Sequence, residues 1–144
     1  MKKIVCAVLA VFMLVFIFGV TPILAVNTSA HSTQTVLPNY IGINILSISL
    51  DINSAGLTTS TGIVYPSSNS YTAKLTVSLQ KYTSSGWTTL NSWSGSGTGL
   101  SGASVNGSYY VARGTYRSRI TARIYNSSGT LIETETAYSA KKTY

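Results

Sequence analysis

The chain has 144 residues, ten basic and three acidic side chains, one cysteine and one histidine, and its formal net charge is +7 at pH 7. One cysteine excludes a disulfide scaffold, and the lone histidine, His31, has no second histidine or cysteine near it, so we expect no transition-metal site and no cofactor. Asp51 stands without other oxygen donors, which excludes a calcium site. This composition favours a protein that acts by binding rather than by catalysis.

The N-terminus has the pattern of a secretory signal peptide. A basic start at residues 1–3 precedes an apolar run over residues 4–20, and small residues allow cleavage after Ala25 or after Ala30. The apolar run approaches the roughly 20 residues that span a bilayer as a helix. Because Pro22 ends that helix and no positive cluster follows, we expect cleavage rather than anchoring, so that only the uncleaved signal peptide contacts a membrane.

The chain therefore divides into a signal peptide over residues 1–30, a flexible lead-in over 31–39 and a β-sandwich domain over 40–144. Beyond residue 30, eight basic residues against three acidic residues leave a net charge of plus five. That part is rich in Ser, Thr and Tyr, which suits sheets with one wet face. We expect a secreted protein that is released or loosely retained on the cell wall, where its charge attracts anionic polymers.

Alternating apolar residues predict seven strands and no helix. The first strand runs from Tyr40 to Ile52, and its alternation slips by one position after Ile45. This slip predicts either a β-bulge or a strand that crosses from one sheet to the other. The later strands are predicted at residues 57–63, 72–82, 87–93, 105–111, 116–125 and 131–139. The glycine-rich residues 95–102 predict a loop between two sheets, because a phosphate-binding loop would need a lysine and a helix start after it.

The last two strands form a hairpin whose register the sequence predicts. Gly129 indicates a three-residue loop in which the glycine takes the left-handed conformation. That loop sets Ile124 opposite Ile132 on the core face. On the outer face it sets Tyr125 opposite Leu131 and Arg123 opposite Glu133. A shift by one residue would bring Glu133 to the core face, where an unpaired carboxylate is costly.

The strand pattern resembles the immunoglobulin-like antiparallel sandwich, in which a tyrosine near the start of a late strand anchors the crossing between sheets by its hydroxyl. Gly114-Thr115-Tyr116 opens such a strand, so the resemblance gives Tyr116 this structural role. Ser118 stands where the second sheet-bridging cysteine would be, and both tryptophans follow the third strand instead of lying on it. The chain is also similar to small secreted single-domain proteins of clostridial-type Gram-positive bacteria, a likeness that implies fold and export but no activity. It is carried by the segments LQK, GWTTLNSW, GSGTG, SYYVARGTYR and YNSSGTLIET.

Glu133 and Glu135 form the only close carboxylate pair, and they would face the same way about 7 Å apart on a strand. That separation also occurs between the carboxylates of glycosidases. With Arg123 opposite Glu133 and Arg119 diagonal to Glu135, we expect both carboxylates to form cross-strand ion pairs. The sequence therefore predicts no catalytic residue, and the protein is not expected to be an enzyme.

One sheet face provides the main binding hypothesis. In the immunoglobulin-like arrangement the third, sixth and seventh strands share a sheet, and their outward residues form a basic and aromatic surface. Arginine suits phosphate and carboxylate groups, and tyrosine offers flat faces to sugar rings, so we expect salt-sensitive binding of an anionic cell-wall polymer or glycan, without specific nucleic-acid recognition. The alternative is a solvated face whose charges oppose aggregation. The proposed binding residues are Lys74, Tyr82, Arg117, Arg119, Arg123 and Tyr125.

Two further hypotheses remain open. Trp87 and Trp93 are six residues apart on one strand, so they would lie on the same face, about 20 Å from each other. There they could form a platform for neutral carbohydrate. At least one of them is expected in the core, because the exported part contains no Phe. The other hypothesis is a structural or self-associating extracellular protein, such as a matrix component or a toxin. The sequence does not determine the oligomeric state.

Overall fold

The computed structural model describes residues 34–36 and 39–144, and the predicted signal peptide and His31 lie outside the described residues. The described chain is all-β, as predicted, with one short 3-10 helix at Gly99–Ser101 and none long and apolar enough to cross a membrane. Its strands are β1 (Gln34–Val36), β2 (Ile43–Ile52), β3 (Leu57–Pro66), β4 (Thr72–Thr83), β5 (Gly86–Thr98), β6 (Ala103–Tyr110), β7 (Thr115–Tyr125), β8 (Leu131–Tyr138) and β9 (Lys142–Thr143).

The strands form two antiparallel sheets that pack against each other. One sheet has the order β1-β2-β3-β6, and the other has the order β5-β4-β7-β8 with β9 paired to β7. Every second residue of the central strands points into the space between the sheets. Each fully buried Leu, Ile or Val there contributes roughly 2 kcal/mol to folding. The largest buried apolar side chains are Leu46, Ile48, Leu50, Val64, Leu75, Val77, Leu79, Ile120 and Ile124.

The first long strand, β2, contains the bulge that the sequence predicts. The pairing of β2 with β3 shifts between Ile43 and Ile45, which confirms the predicted bulge. The turn that follows is held by the side-chain oxygen of Asn53, which accepts the backbone N–H groups of Ala55 at 2.9 Å and of Leu57 at 3.0 Å. This pattern is a typical Asx turn.

Two short strands were not predicted. β1 lies within residues 31–39, where the sequence predicted only a flexible lead-in, and it pairs with the middle of β2. β9 pairs with the start of β7, with Lys142 opposite Tyr116. Strands of two or three residues are too short to show an alternating pattern in the sequence.

The glycine-rich residues 95–102 are not a loop, and that prediction was wrong. They form the second half of β5 and the 3-10 helix after it. Gly95 and Gly97 alternate with outward hydroxyl residues, and a Cβ on Gly97 would overlap the carbonyl oxygen of Gly102. Glycine therefore marks a close approach of β5 to the chain leading into β6, on the opposite sheet.

The predicted register of the last hairpin is wrong beyond its first pair. Tyr125 lies opposite Leu131 as predicted, but a bulge then sets Ile124 opposite Glu133. The bulge moves Glu133 away from the outer face that carries Arg123. Gly129 has a φ of +80°, the left-handed conformation expected of it.

Glu133 tolerates this position because its carboxylate is not left unpaired. Its Oε1 and Oε2 accept the backbone N–H groups of Ile41 at 3.2 Å and of Gly42 at 2.7 Å, just before β2. Burial, and then the nearby carboxylates of Glu135 and Glu133, raise the pKa of the Tyr40 phenol. The hydrogen bonds of Glu133 therefore attach the segment just before β2, in the first sheet, to β8 at the edge of the second sheet.

Two polar contacts hold the chain together around β7. The hydroxyl of Tyr116 donates a hydrogen bond of 2.6 Å to the carbonyl oxygen of Ala112, which is the contact expected of this tyrosine. In the core, Ser118 Oγ donates a 2.7 Å hydrogen bond to Ser60 Oγ on β3, and both serines are fully buried. This pair therefore joins the two sheets through their interior.

Candidate functional site

The six proposed binding residues all lie on the outward face of the β5-β4-β7-β8 sheet. β4, β7 and β8 share this sheet, as the sequence predicted. Along β7, the even-numbered residues from Tyr116 to Ile124 are buried, so the odd-numbered residues between them point outward. On β4 the same alternation buries Ala73, Leu75 and Val77 and turns Lys74 outward.

The six residues nevertheless divide between two ends of the face. At one end Arg123 lies directly opposite Lys74, with Tyr125 beside them. Arg117 lies at the other end, six residues and about 20 Å along β7 from Arg123. Arg119 lies between them, and its Nε is buried without a hydrogen-bond acceptor among the residues that the structure describes.

Arg117 is held in a stack of aromatic rings. Its guanidinium carbon lies 4.2 Å from the ring centre of Trp87 and 4.0 Å from that of Tyr138. Its Nε donates a 2.9 Å hydrogen bond to Gln80 Oε1, and Tyr82 contacts Trp87 with ring centres 5.2 Å apart. Because these contacts engage the guanidinium, Arg117 stabilises this end of the sheet more than it offers a free charge. These contacts join four strands, so no local sequence pattern predicted them.

The two tryptophans lie on opposite faces of the sheet, so the prediction that they form one platform for neutral carbohydrate is wrong. The pairing of β4 with β5 shifts at Leu90, and this bulge inverts the alternation of β5. Trp93 lies opposite Val77 and packs against the core, as expected of at least one tryptophan. The absence of a side chain on Gly107 leaves room for its ring. Trp87 alone remains on the outward face.

None of the three carboxylates of the chain lies on the outward face. Glu133 and Glu135 lie opposite buried residues of β7, on the side that faces the first sheet. Asp51 forms an ion pair of 2.9 Å with a lysine of β9. The cross-strand ion pairs predicted for the two glutamates, with Arg123 and Arg119, are therefore wrong. In the described part of the chain, no three His, Cys, Asp or Glu residues are grouped so that they could hold a metal ion.

Two adjoining depressions indent the outward face near Lys74. The first has a volume of about 520 Å³ and lies between the loop before β4 and the β7–β8 hairpin. The second, of about 420 Å³, runs along the strands beside Arg123. Lys74 lines both depressions, and we call the two together the Lys74 groove. Its lining includes Asn69, Tyr71, Lys74, Arg123, Tyr125 and Asn126.

Sequence reasoning found only part of this groove. Lys74, Arg123 and Tyr125 were identified because they alternate with core residues on predicted strands. Asn69, Tyr71 and Asn126 lie in connections, where no periodicity assigns a direction to a side chain. The turn-forming asparagines beside strand ends were the only available signal.

A scan against protein-family models and searches of curated proteins and of solved structures found no match to the chain. Its function is therefore inferred from its own residues and their placement.

Proposed function

We propose that this is an exported, non-enzymatic β-sandwich of the immunoglobulin-like kind that binds an anionic cell-wall polymer or acidic glycan. The binding surface is the end of the outward face of the β5-β4-β7-β8 sheet that carries the Lys74 groove. The predicted signal peptide supports export, and the absence of carboxylates from this face supports an anionic ligand.

Strand order supports the immunoglobulin-like assignment. The constant-type immunoglobulin sandwich has its first, second, fourth and fifth strands in one sheet and its third, sixth and seventh in the other. Counted from β2, six of these seven strands lie in the sheet that this order gives them, and the fourth, β5, instead lies beside β4 in the other sheet. Here β2, β3 and β6 share one sheet, and β4, β7 and β8 share the other. The hydrogen bond from Tyr116 to Ala112 is that of a tyrosine corner. The buried bond between Ser118 and Ser60 joins the sheets where many such domains have a disulfide.

One observation carries the binding proposal. Lys74 and Arg123 are both exposed and lie directly opposite each other on neighbouring strands. Like charges in this position destabilise a sheet by roughly half a kcal/mol, and no carboxylate on the face offsets their repulsion. A phosphate or carboxylate bound between the two side chains would remove that repulsion and accept hydrogen bonds from both.

Changing Lys74 and Arg123 to serine together should weaken retention on purified Gram-positive cell wall about tenfold at low salt. Two partly exposed charge contacts of about 0.7 kcal/mol each account for that factor. Salt at about 0.5 M should release the unchanged protein, because it screens exposed charges. The fraction of protein bound to sedimented cell wall measures both effects.

The matched control is R113S/K141S, which removes two exposed cations outside the groove. This control should retain at least half of the binding. An equal loss in both double variants would mean that net charge alone attracts the protein, and would overturn the groove as the binding site. Unchanged retention of K74S/R123S would overturn it as well.

A second candidate function, self-association, is favoured by a different observation. No charged residue occurs between Lys81 and Arg113, and this segment contains both β5 and β6. Each of these strands is the edge of its sheet. Edge strands usually carry charges or proline that prevent pairing with another chain, and neither β5 nor β6 contains them, which favours strand addition.

If β5 pairs with a second copy, the protein should form dimers or larger assemblies at micromolar concentration, measured by light scattering. Ser94→Lys would place a charge in the middle of β5 and should restore the monomer. Thr136→Lys, at an exposed position on β8, should not. A protein that scatters as a monomer across this range would contradict self-association.

A further inference from the structure

We propose that the ligand of the Lys74 groove is an acidic saccharide, such as a uronic acid oligomer. Its sugar ring would occupy the depression between the loop before β4 and the β7–β8 hairpin, and its carboxylate would lie between Lys74 and Arg123. This inference rests on the proposed anion-binding function and adds the chemical class of the ligand to it.

Two asparagines make this depression rich in hydrogen-bond donors. The side-chain oxygen of Asn69 accepts the backbone N–H of Leu100 at 3.2 Å. The oxygen of Asn126 accepts the backbone N–H groups of Ser128 at 3.1 Å and of Thr130 at 2.9 Å. Because backbone N–H groups of the loops bind both side-chain oxygens, the orientation of each amide is fixed, and its NH₂ group takes no part in these contacts. Neither NH₂ group has an acceptor within the described part of the chain, so both are available to a ligand with many oxygen acceptors.

Aromatic rings provide the second element of the depression. Tyr71 and Tyr125 both line it, and Tyr71 also packs against the core, which holds its ring in place. The ammonium of Lys74 lies 4.9 Å from the ring centre of Tyr125. A lysine held over a ring in this way has a defined position between the ring-lined depression and Arg123. Flat rings beside fixed NH₂ donors suit a pyranose, which has apolar C–H faces and hydroxyl acceptors.

The combination discriminates between ligand classes. A neutral sugar would leave the repulsion between Lys74 and Arg123 unrelieved, and a simple polyphosphate would leave the tyrosines and the asparagine NH₂ groups unused. An acidic saccharide would engage both parts of the groove. The volume of about 520 Å³ lies within the range of sites that bind small molecules.

The first test compares three probes in an NMR titration of the full protein. Trigalacturonate carries sugar rings and carboxylates, its methyl ester carries the rings without charge, and tripolyphosphate carries charge without rings. We expect trigalacturonate to bind at least tenfold more tightly than either of the other two. Equal affinity for tripolyphosphate would overturn the saccharide assignment while leaving the anion-binding function intact. Binding of none of these probes, together with unchanged cell-wall retention of K74S/R123S, would overturn both.

Variants of single residues test each part of the site. Tyr125→Leu should weaken trigalacturonate binding about fivefold and tripolyphosphate binding less than twofold. Both ligands lose the positioning of Lys74 by the ring, but only the saccharide also loses a contact with the ring itself. Asn126→Asp keeps the oxygen that holds the hairpin but replaces the NH₂ donor by a charged oxygen, so it should weaken trigalacturonate binding about tenfold.

Asn53→Asp is the matched control, because Asn53 holds its turn through the same two kinds of backbone contact and lies outside the groove. Asn53→Asp should change the affinity for trigalacturonate less than twofold. If Asn126→Asp behaved like this control, or if Tyr125→Leu weakened both charged ligands equally, the saccharide site would be wrong.

Discussion

Replacing Ser60 and Ser118 together with cysteine should form a disulfide that raises the free energy of unfolding by about 4 kcal/mol, because it closes a long loop in the unfolded chain. The two serines are 58 residues apart in sequence, yet their hydroxyl oxygens lie 2.7 Å apart in the core. They belong to different sheets, so the disulfide would join the two layers directly. The distance of 2.7 Å between the two hydroxyl oxygens is short enough for a disulfide to replace the hydrogen bond.

Urea unfolding of S60C/S118C, with and without a reductant, measures this stabilisation. The reduced variant should be about 1 kcal/mol less stable than the unchanged protein, because it loses the hydrogen bond between the serines. Mass spectrometry should show the loss of two hydrogens in the oxidised form. Free thiols under oxidising conditions, or equal stability in both redox states, would mean that the two strands are not opposed in this way.

Gly97→Ala should lower the free energy of unfolding by about 3 kcal/mol, the upper part of the usual range for overpacking. The added Cβ would overlap the carbonyl oxygen of Gly102, which belongs to the backbone and cannot turn aside as a side chain can. β5 and the chain leading into β6 would then have to separate.

Ser96→Ala is the control for this prediction, since Ser96 is the neighbouring residue and its side chain is exposed on the outer face. It should change the stability by less than about 0.5 kcal/mol. Thermal or urea unfolding of both variants provides the comparison. Equal stabilities would indicate that residues 95–98 are a loop, as the glycine content first suggested, and not part of β5.

The two sheets contain three bulges, and two of them determine which side chains reach the functional face. The bulge in β2 follows from the slip in its apolar pattern, and it was predicted. The bulge in β5 separates Trp87 from Trp93, and the bulge in β8 turns Glu133 inward. Neither of these two leaves a break in the apolar pattern, because β5 consists mostly of Ser, Thr and Gly, and Ile132 also fits the core face in the regular register. The errors in the predicted site follow from these two bulges.

Glu133 and Glu135 lie on the inner side of β8 and not on its outer face, and this position strengthens the case for an anionic ligand. With the predicted ion pairs, Arg123 and Arg119 would have been neutralised by their neighbours. In the observed register their charges remain uncompensated by any carboxylate on that sheet face. The register of one hairpin therefore decides whether this surface is neutral or basic.

The amino-acid sequence by itself determined the all-β class, the approximate strand bounds and the inward and outward residues of β4 and β7. These features depend on alternation within one strand, and residues such as Ala73, Leu75 and Ile120 show that alternation without reference to any partner. The hydrogen bond from Tyr116 to Ala112 is also local, because it reaches only four residues back along the chain.

Only the tertiary structure decided the hairpin register, the faces of the two tryptophans and the composition of the Lys74 groove. The energy of each depends on atoms that are distant in sequence. The carboxylate of Glu133 can face the first sheet only because two backbone N–H groups about 90 residues earlier in the chain bind it. Trp93 can turn inward only because Gly107, on the other sheet, leaves room for its ring. No local pattern contains those partners, so the contacts that they make could not be predicted from it.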